Sequence, residues 1–131
     1  MIDVNQSTTS VAYVVTGISV TCTLENIAHK FRITCSCFTG ASASGTVPQF
    51  RVYRDAVDIT PVGTTALASV QCVYTTSLYP ISFLIEDAPG DLSSHTYEIR
   101  WKTSASTAYL GRDGGATYDV PNVMTLEEVS P

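Results

Sequence analysis

The sequence predicts an all-β fold, a two-sheet antiparallel β-sandwich, and three observations predict it. Apolar and polar residues alternate at period two along most of the 131 residues, the mark of strands with one buried and one wet face. No window of a dozen residues carries a helical apolar stripe. Turn segments bearing Gly or Pro punctuate the alternation at short intervals.

Each element follows from that pattern. Residues 1–10 are polar and poor in apolar side chains, which predicts an arm that orders only against a neighbour or the domain's own edge. Residues 11–131 form the single β-sandwich domain. Val11 to Val15 and Ile18 to Leu24 are expected as strands flanking Thr16-Gly17, with Ile18, Val20, Cys22 and Leu24 on one inner face. From Phe31 to Phe38 the inner set is Phe31, Ile33, Cys35 and Cys37. The small-residue run Gly40 to Thr46 reads as a flexible surface loop. Strands are then expected at Gln49 to Arg54, Leu67 to Tyr74 and Ile81 to Glu86, separated by Pro61-Val62-Gly63, Pro80 and Pro89-Gly90-Asp91.

The clearest strand is Thr96 to Thr103, where Tyr97, Ile99 and Trp101 alternate with Glu98, Arg100 and Lys102. Ser106 to Leu110, a glycine-rich loop from Gly111 to Ala116, and a closing strand Val123 to Val129 complete the chain. Eight or so strands and no helix give a sandwich, with jelly-roll topology as the expected version.

Composition narrows the function. Charged residues make up 15%, roughly a quarter of the chain is Ser or Thr, and the net charge is -5. Seven scattered Lys and Arg do not make a phosphate-binding surface, so no nucleic-acid partner is expected. No apolar run approaches the roughly 20 residues of a spanning helix, and no polybasic patch marks a membrane surface. The N-terminus lacks a basic flank and apolar stretch, so synthesis and folding in a cytoplasm are expected, with Cys22, Cys35, Cys37 and Cys72 as buried free thiols.

No constellation points to catalysis. His29 and His95 fall in expected polar connections without a close Cys, Asp or His partner of zinc-ligand spacing. Cys35-Ser36-Cys37 puts two thiols on one strand face, which is core packing rather than a redox pair. No nucleophile elbow is present, and the carboxylate pairs Glu86-Asp87 and Glu127-Glu128 are explained by solvation. Gly111 to Gly115 reads as a hairpin or Ω-type loop, since a phosphate loop would lead into a helix. The expectation is therefore a non-enzyme with no cofactor and no metal. Tyr97 and Trp101 share a core face, which leaves Tyr109 and Tyr118 as interface candidates.

The segment Tyr97-Glu98-Ile99-Arg100-Trp101-Lys102, followed by Thr107-Ala108-Tyr109-Leu110-Gly111-Arg112 and by Met124-Thr125-Leu126-Glu127-Glu128-Val129, resembles small jelly-roll proteins of tailed bacteriophage particles. The resemblance covers about a third of the chain and rests on strand-pattern residues, so no binding residue carries over. It implies a virion protein: a decoration or cement subunit on the head, or a trimeric knob related to tumour-necrosis-factor-like domains at a fibre tip. As a decoration protein the chain would bind the major capsid protein or another virion subunit, with arm residues such as Asp3 and Val4 reaching a neighbour and Tyr109 and Tyr118 as contacts. As a knob it would present loops 40–46 and 111–116 to a receptor. A start at Met1 with no fibrous stem leans toward decoration, and a homotrimer is expected through the resemblance. A third reading is a small carbohydrate-binding domain using Trp101 and Tyr109.

Overall fold

The computed structural model describes residues 6–115 and 120–131. Among these the chain is all-β and forms two packed antiparallel sheets. In chain order the strands are β1 (Gln6–Thr8), β2 (Val14–Cys22), β3 (Lys30–Ala41), β4 (Pro48–Arg54), β5 (Val57–Asp58), β6 (Ala68–Ser69), β7 (Tyr79–Asp87), β8 (His95–Thr103), β9 (Ala108–Leu110) and β10 (Val123–Val129).

The first sheet is built on β3, whose alternating Phe31, Ile33, Cys35 and Cys37 are buried. Strand β7 lies along one side of it, from Phe31 opposite Asp87 to Thr39 opposite Tyr79. On the other side β10 covers Lys30 to Ser36 and β9 covers Thr39 to Ala41. Both run antiparallel to β3, so β9 and β10 act as two parts of one strand, interrupted between Leu110 and Val123. Strand β1 lies outside β9.

The second sheet runs β2-β8-β4, with β5 and β6 sharing the far side of β4. Taking β5 with β6 and β9 with β10, the chain changes sheet at every connection except the one from β4 to β5, which stays in the second sheet.

The core lies between them. Trp101 and Phe50 stack at 5.9 Å, and Phe31 meets Tyr97 edge-on at 5.5 Å. Burying such side chains supplies about 1.5–3 kcal/mol each. The hydroxyl of Tyr97 reaches the rim of the core and donates to Asp87 Oδ2 at 2.6 Å, where Arg54 also donates at 2.6 Å. All four cysteines are free; Cys35, Cys37 and Cys72 are buried, while Cys22 is half-buried. Burial pushes the Cys72 thiol up to about 11, and its neighbour Cys35 together with burial raises Cys37, so these thiols stay protonated at neutral pH.

Several expectations are corrected. Thr16-Gly17 is not a turn between two strands but a bulge inside β2, with the pairing shifting between Val15 and Ser19. Gly17 supplies the positive φ of 79°, and the buried Thr16 hydroxyl donates to Ile99 O at 2.7 Å where the ladder is interrupted. Only Ala68–Ser69 of the Leu67 to Tyr74 segment is strand. Gly40 and Ala41 belong to β3, and the rest of the small-residue run is held by Ser42 N–H to Thr107 O at 2.9 Å and Gly45 N–H to Cys72 O at 2.8 Å. Gly40 packs closely, while Ser42, Ser44 and Gly45 are exposed, as a surface loop would be. His95 opens β8 and is buried, not part of a polar connection.

Candidate docking end of the sandwich

At the end of the sandwich where β3 finishes, four separate pieces of chain meet. Strand β1 pairs with β9 so that Ser7 faces Tyr109. The Thr39 hydroxyl donates to Tyr109 O at 2.7 Å, tying β9 to β3. The connection between β9 and β10 leaves and rejoins the sheet on either side of Phe38: Gly111 N–H donates to Phe38 O at 2.8 Å, and Phe38 N–H donates to Asn122 Oδ1 at 3.2 Å. The ladder bonds that β9 and β10 leave open at Phe38 are thereby filled, as buried backbone groups require.

Two glycines let this loop sit directly on the sheet. A Cβ on Gly114 would lie 2.1 Å from Ala41 O and 2.6 Å from Thr75 O, and one on Gly40 would lie 2.7 Å from Arg112 O. The loops after β3, before β7 and after β9 therefore form one packed cluster. Within it the Tyr79 hydroxyl accepts from Val73 N–H at 2.8 Å and Tyr74 N–H at 2.6 Å, fixing a segment whose Val73 and Tyr74 side chains are exposed.

The guanidinium of Arg112 lies 4.2 Å above the ring of the half-buried Tyr109. Searched against protein-family models and curated proteins, the chain matches none.

Of the residues that the sequence singles out, Tyr109 lies in this cluster, whereas Asp3, Val4 and Tyr118 lie outside the described residues. The described part of the arm that forms strand, Gln6–Thr8, is β1 itself. Trp101, the other aromatic of the carbohydrate-binding reading, is only 1% exposed and stacked on Phe50, so it cannot meet a sugar. Arg112 belongs to the loop that the sequence reads as a hairpin or Ω-type connection rather than a ligand site, and is not among the contacts it singles out.

The opposite end is organised by histidines and carboxylates. His95 is 8% exposed, with Nδ1 donating to Asp55 Oδ2 at 2.6 Å and Nε2 meeting Asp91 Oδ1 at 3.1 Å. The bond to Asp55, helped by Asp91, raises the imidazole's pKa despite burial. Asp55 is held below the ordinary carboxylate value first by His95, and Asp91 first by the Ser93 backbone N–H. The result joins the β4–β5 turn to the β7–β8 connection.

Glu128 similarly accepts from the backbone N–H groups of Glu25 and Asn26 and pairs with His29 Nδ1 at 2.7 Å; the Glu25 N–H is the leading cause of its lowered pKa. Solvation does not explain Glu128 or Asp87, which are structural acceptors.

On the outer face of the second sheet Tyr13 acts as a strap. Its hydroxyl donates to Thr65 O at 2.7 Å, and its ring lies 4.8 Å from the Arg51 guanidinium and 4.9 Å from the Lys102 ammonium. Arg51 is saturated by Asp58 and the carbonyls of Thr64 and Thr65, which marks that contact as structural.

Proposed function

We propose that this chain is a non-enzymatic structural protein of a bacteriophage virion, a decoration or cement subunit that binds and stabilises the outer head shell. The observation that carries the reading is the convergence of β1, Tyr109 and the Gly111–Gly115 loop at one end of a rigid sandwich. An outermost three-residue strand contributes little to the core, so its segment can serve attachment. The strand orders, β1-β9/β10-β3-β7 in one sheet and β2-β8-β4-β5/β6 in the other, support jelly-roll topology, and with it the resemblance to phage jelly-roll proteins. The partner is the major capsid protein or another virion subunit, the place of action is the virion assembled in the host cytoplasm, and the bound form is a homotrimer.

Immunogold electron microscopy of particles from the source, with antibodies to the recombinant domain, tests the location. Labelling over the head is expected, and particles without label would overturn the virion reading. Deleting residues 2–10 should abolish binding to heads while light scattering and circular dichroism report a folded domain of unchanged oligomeric state.

A second reading, a receptor-binding knob, is favoured by one observation: the loops after β3 and after β9 meet at the same end, where Gly40 and Ala41 pack against Arg112 to Gly114. Label at the tail, together with loss of host adsorption on exchange of these segments, would select it.

A further inference from the structure

Of the seven Lys and Arg side chains, five sit on a carboxylate. The remaining two, Lys102 and Arg112, reach no carboxylate among the described residues, and both rest on a tyrosine ring instead. In a chain with 12 acidic residues to seven basic ones, a cation without an acid is the exception. The two differ in how firmly they are held. Lys102 is a flexible ammonium on an open sheet face, whereas Arg112 grows from the most constrained backbone at the docking end.

Three contacts fix that backbone. Gly111 N–H is bonded to Phe38 O, Val120 N–H is bonded to Gly111 O at 2.8 Å, and the Arg112 carbonyl is pressed against Gly40. The Tyr109 ring then covers one face of the guanidinium. A guanidinium resting on a ring keeps N–H groups for a planar oxyanion, which it can take in two parallel bonds, and less side-chain freedom is lost on binding.

We propose that Arg112, positioned by Tyr109, receives a carboxylate of the protein to which this end docks: an Asp or Glu side chain, or a chain terminus, of a shell subunit. This rests on the decoration reading and names the partner's chemistry. A protein carboxylate fits because the neighbouring segment offers exposed Val73 and Tyr74 as the apolar contact a protein interface needs, and the outer edge of β1, which pairs with no strand among the described residues, adds backbone groups. Asp113, next in sequence, is fully buried and so does not compete at the surface.

The test is binding of the full chain to purified heads that lack it, comparing wild type with R112K, R112E, Y109L and K102E, each checked for folding by circular dichroism and thermal denaturation. R112K, which keeps the charge and loses the fork, should bind roughly tenfold to hundredfold more weakly. R112E should not bind detectably, and Y109L should weaken binding although Arg112 remains. K102E changes net charge as R112E does and should bind like wild type. If wild type binds and R112K binds equally well, or if K102E loses as much as R112E, the inference is overturned and the decoration reading stands. If wild type itself does not bind heads, both fall.

Discussion

His95 shows what a single residue does here and how pH should reveal it. Its pKa is raised above the ordinary 6.5, so its contribution is complete below that value and is lost as pH climbs through the higher folded-state value. Asp55 and Asp91 are lowered from 3.8, so theirs is complete above that value and is lost as pH falls through the lower ones. The clamp is therefore strongest between about pH 4 and 6.5. We expect His95→Gln to be most destabilising near pH 5.5, with its gap to wild type closing on the alkaline side, as read from urea denaturation across pH. An equal gap at all pH would mean that the ring acts only by packing. Only the Asp91 half of this clamp is local, four residues before His95; Asp55 is 40 residues away and only the sheet brings it near. Trp101 is the opposite case: alternation with Arg100 and Lys102 alone put it inside. Trp101→Ala should cost about 3–5 kcal/mol by chemical denaturation.

At the scale of elements, the sequence located strands well where a strand runs along a continuous partner, as β10 does on β3 and β8 on β4. Strand β10 occupies Val123–Val129 as expected, and β8 differs only by the addition of His95. It failed where continuity depends on the neighbour. Strands β5 and β6 share one flank of β4, and β9 with β10 share one flank of β3, and neither arrangement leaves a local trace. The Thr16-Gly17 pair was misread because a glycine at positive φ serves a bulge as well as a turn. The same limit hid the docking end: Tyr109 was legible as an aromatic outside the core pattern, while its place beside β1 required the fold. Gly114 makes this testable. Gly114→Ala drives a methyl into the carbonyls of Ala41 and Thr75 and should destabilise by about 1–3 kcal/mol. Gly45→Ala meets no atom within 4 Å and carries only the strain of its φ of +84°, about 1 kcal/mol. Thermal melts of the two variants should rank in that order.

Across the whole molecule, chain order and spatial order are far apart: β3 pairs with β7, β9 and β10, and β2 pairs with β8. Closing such distant pairs before any reward places folding in the range of milliseconds to seconds, which stopped-flow tryptophan fluorescence of Trp101 can check; microsecond folding would contradict this topology. The connection between β9 and β10 has a different consequence. Gly111 and Asn122 anchor both of its exits to one residue, Phe38, so the register of β10 does not depend on how much chain lies between them. Doubling the length of such a loop costs only about 0.6 kcal/mol in closure entropy. Lengthening the connection between these two anchors should therefore leave the pairing of β9 and β10 with β3 intact, so the chain can gain or lose residues there while the scaffold keeps its register.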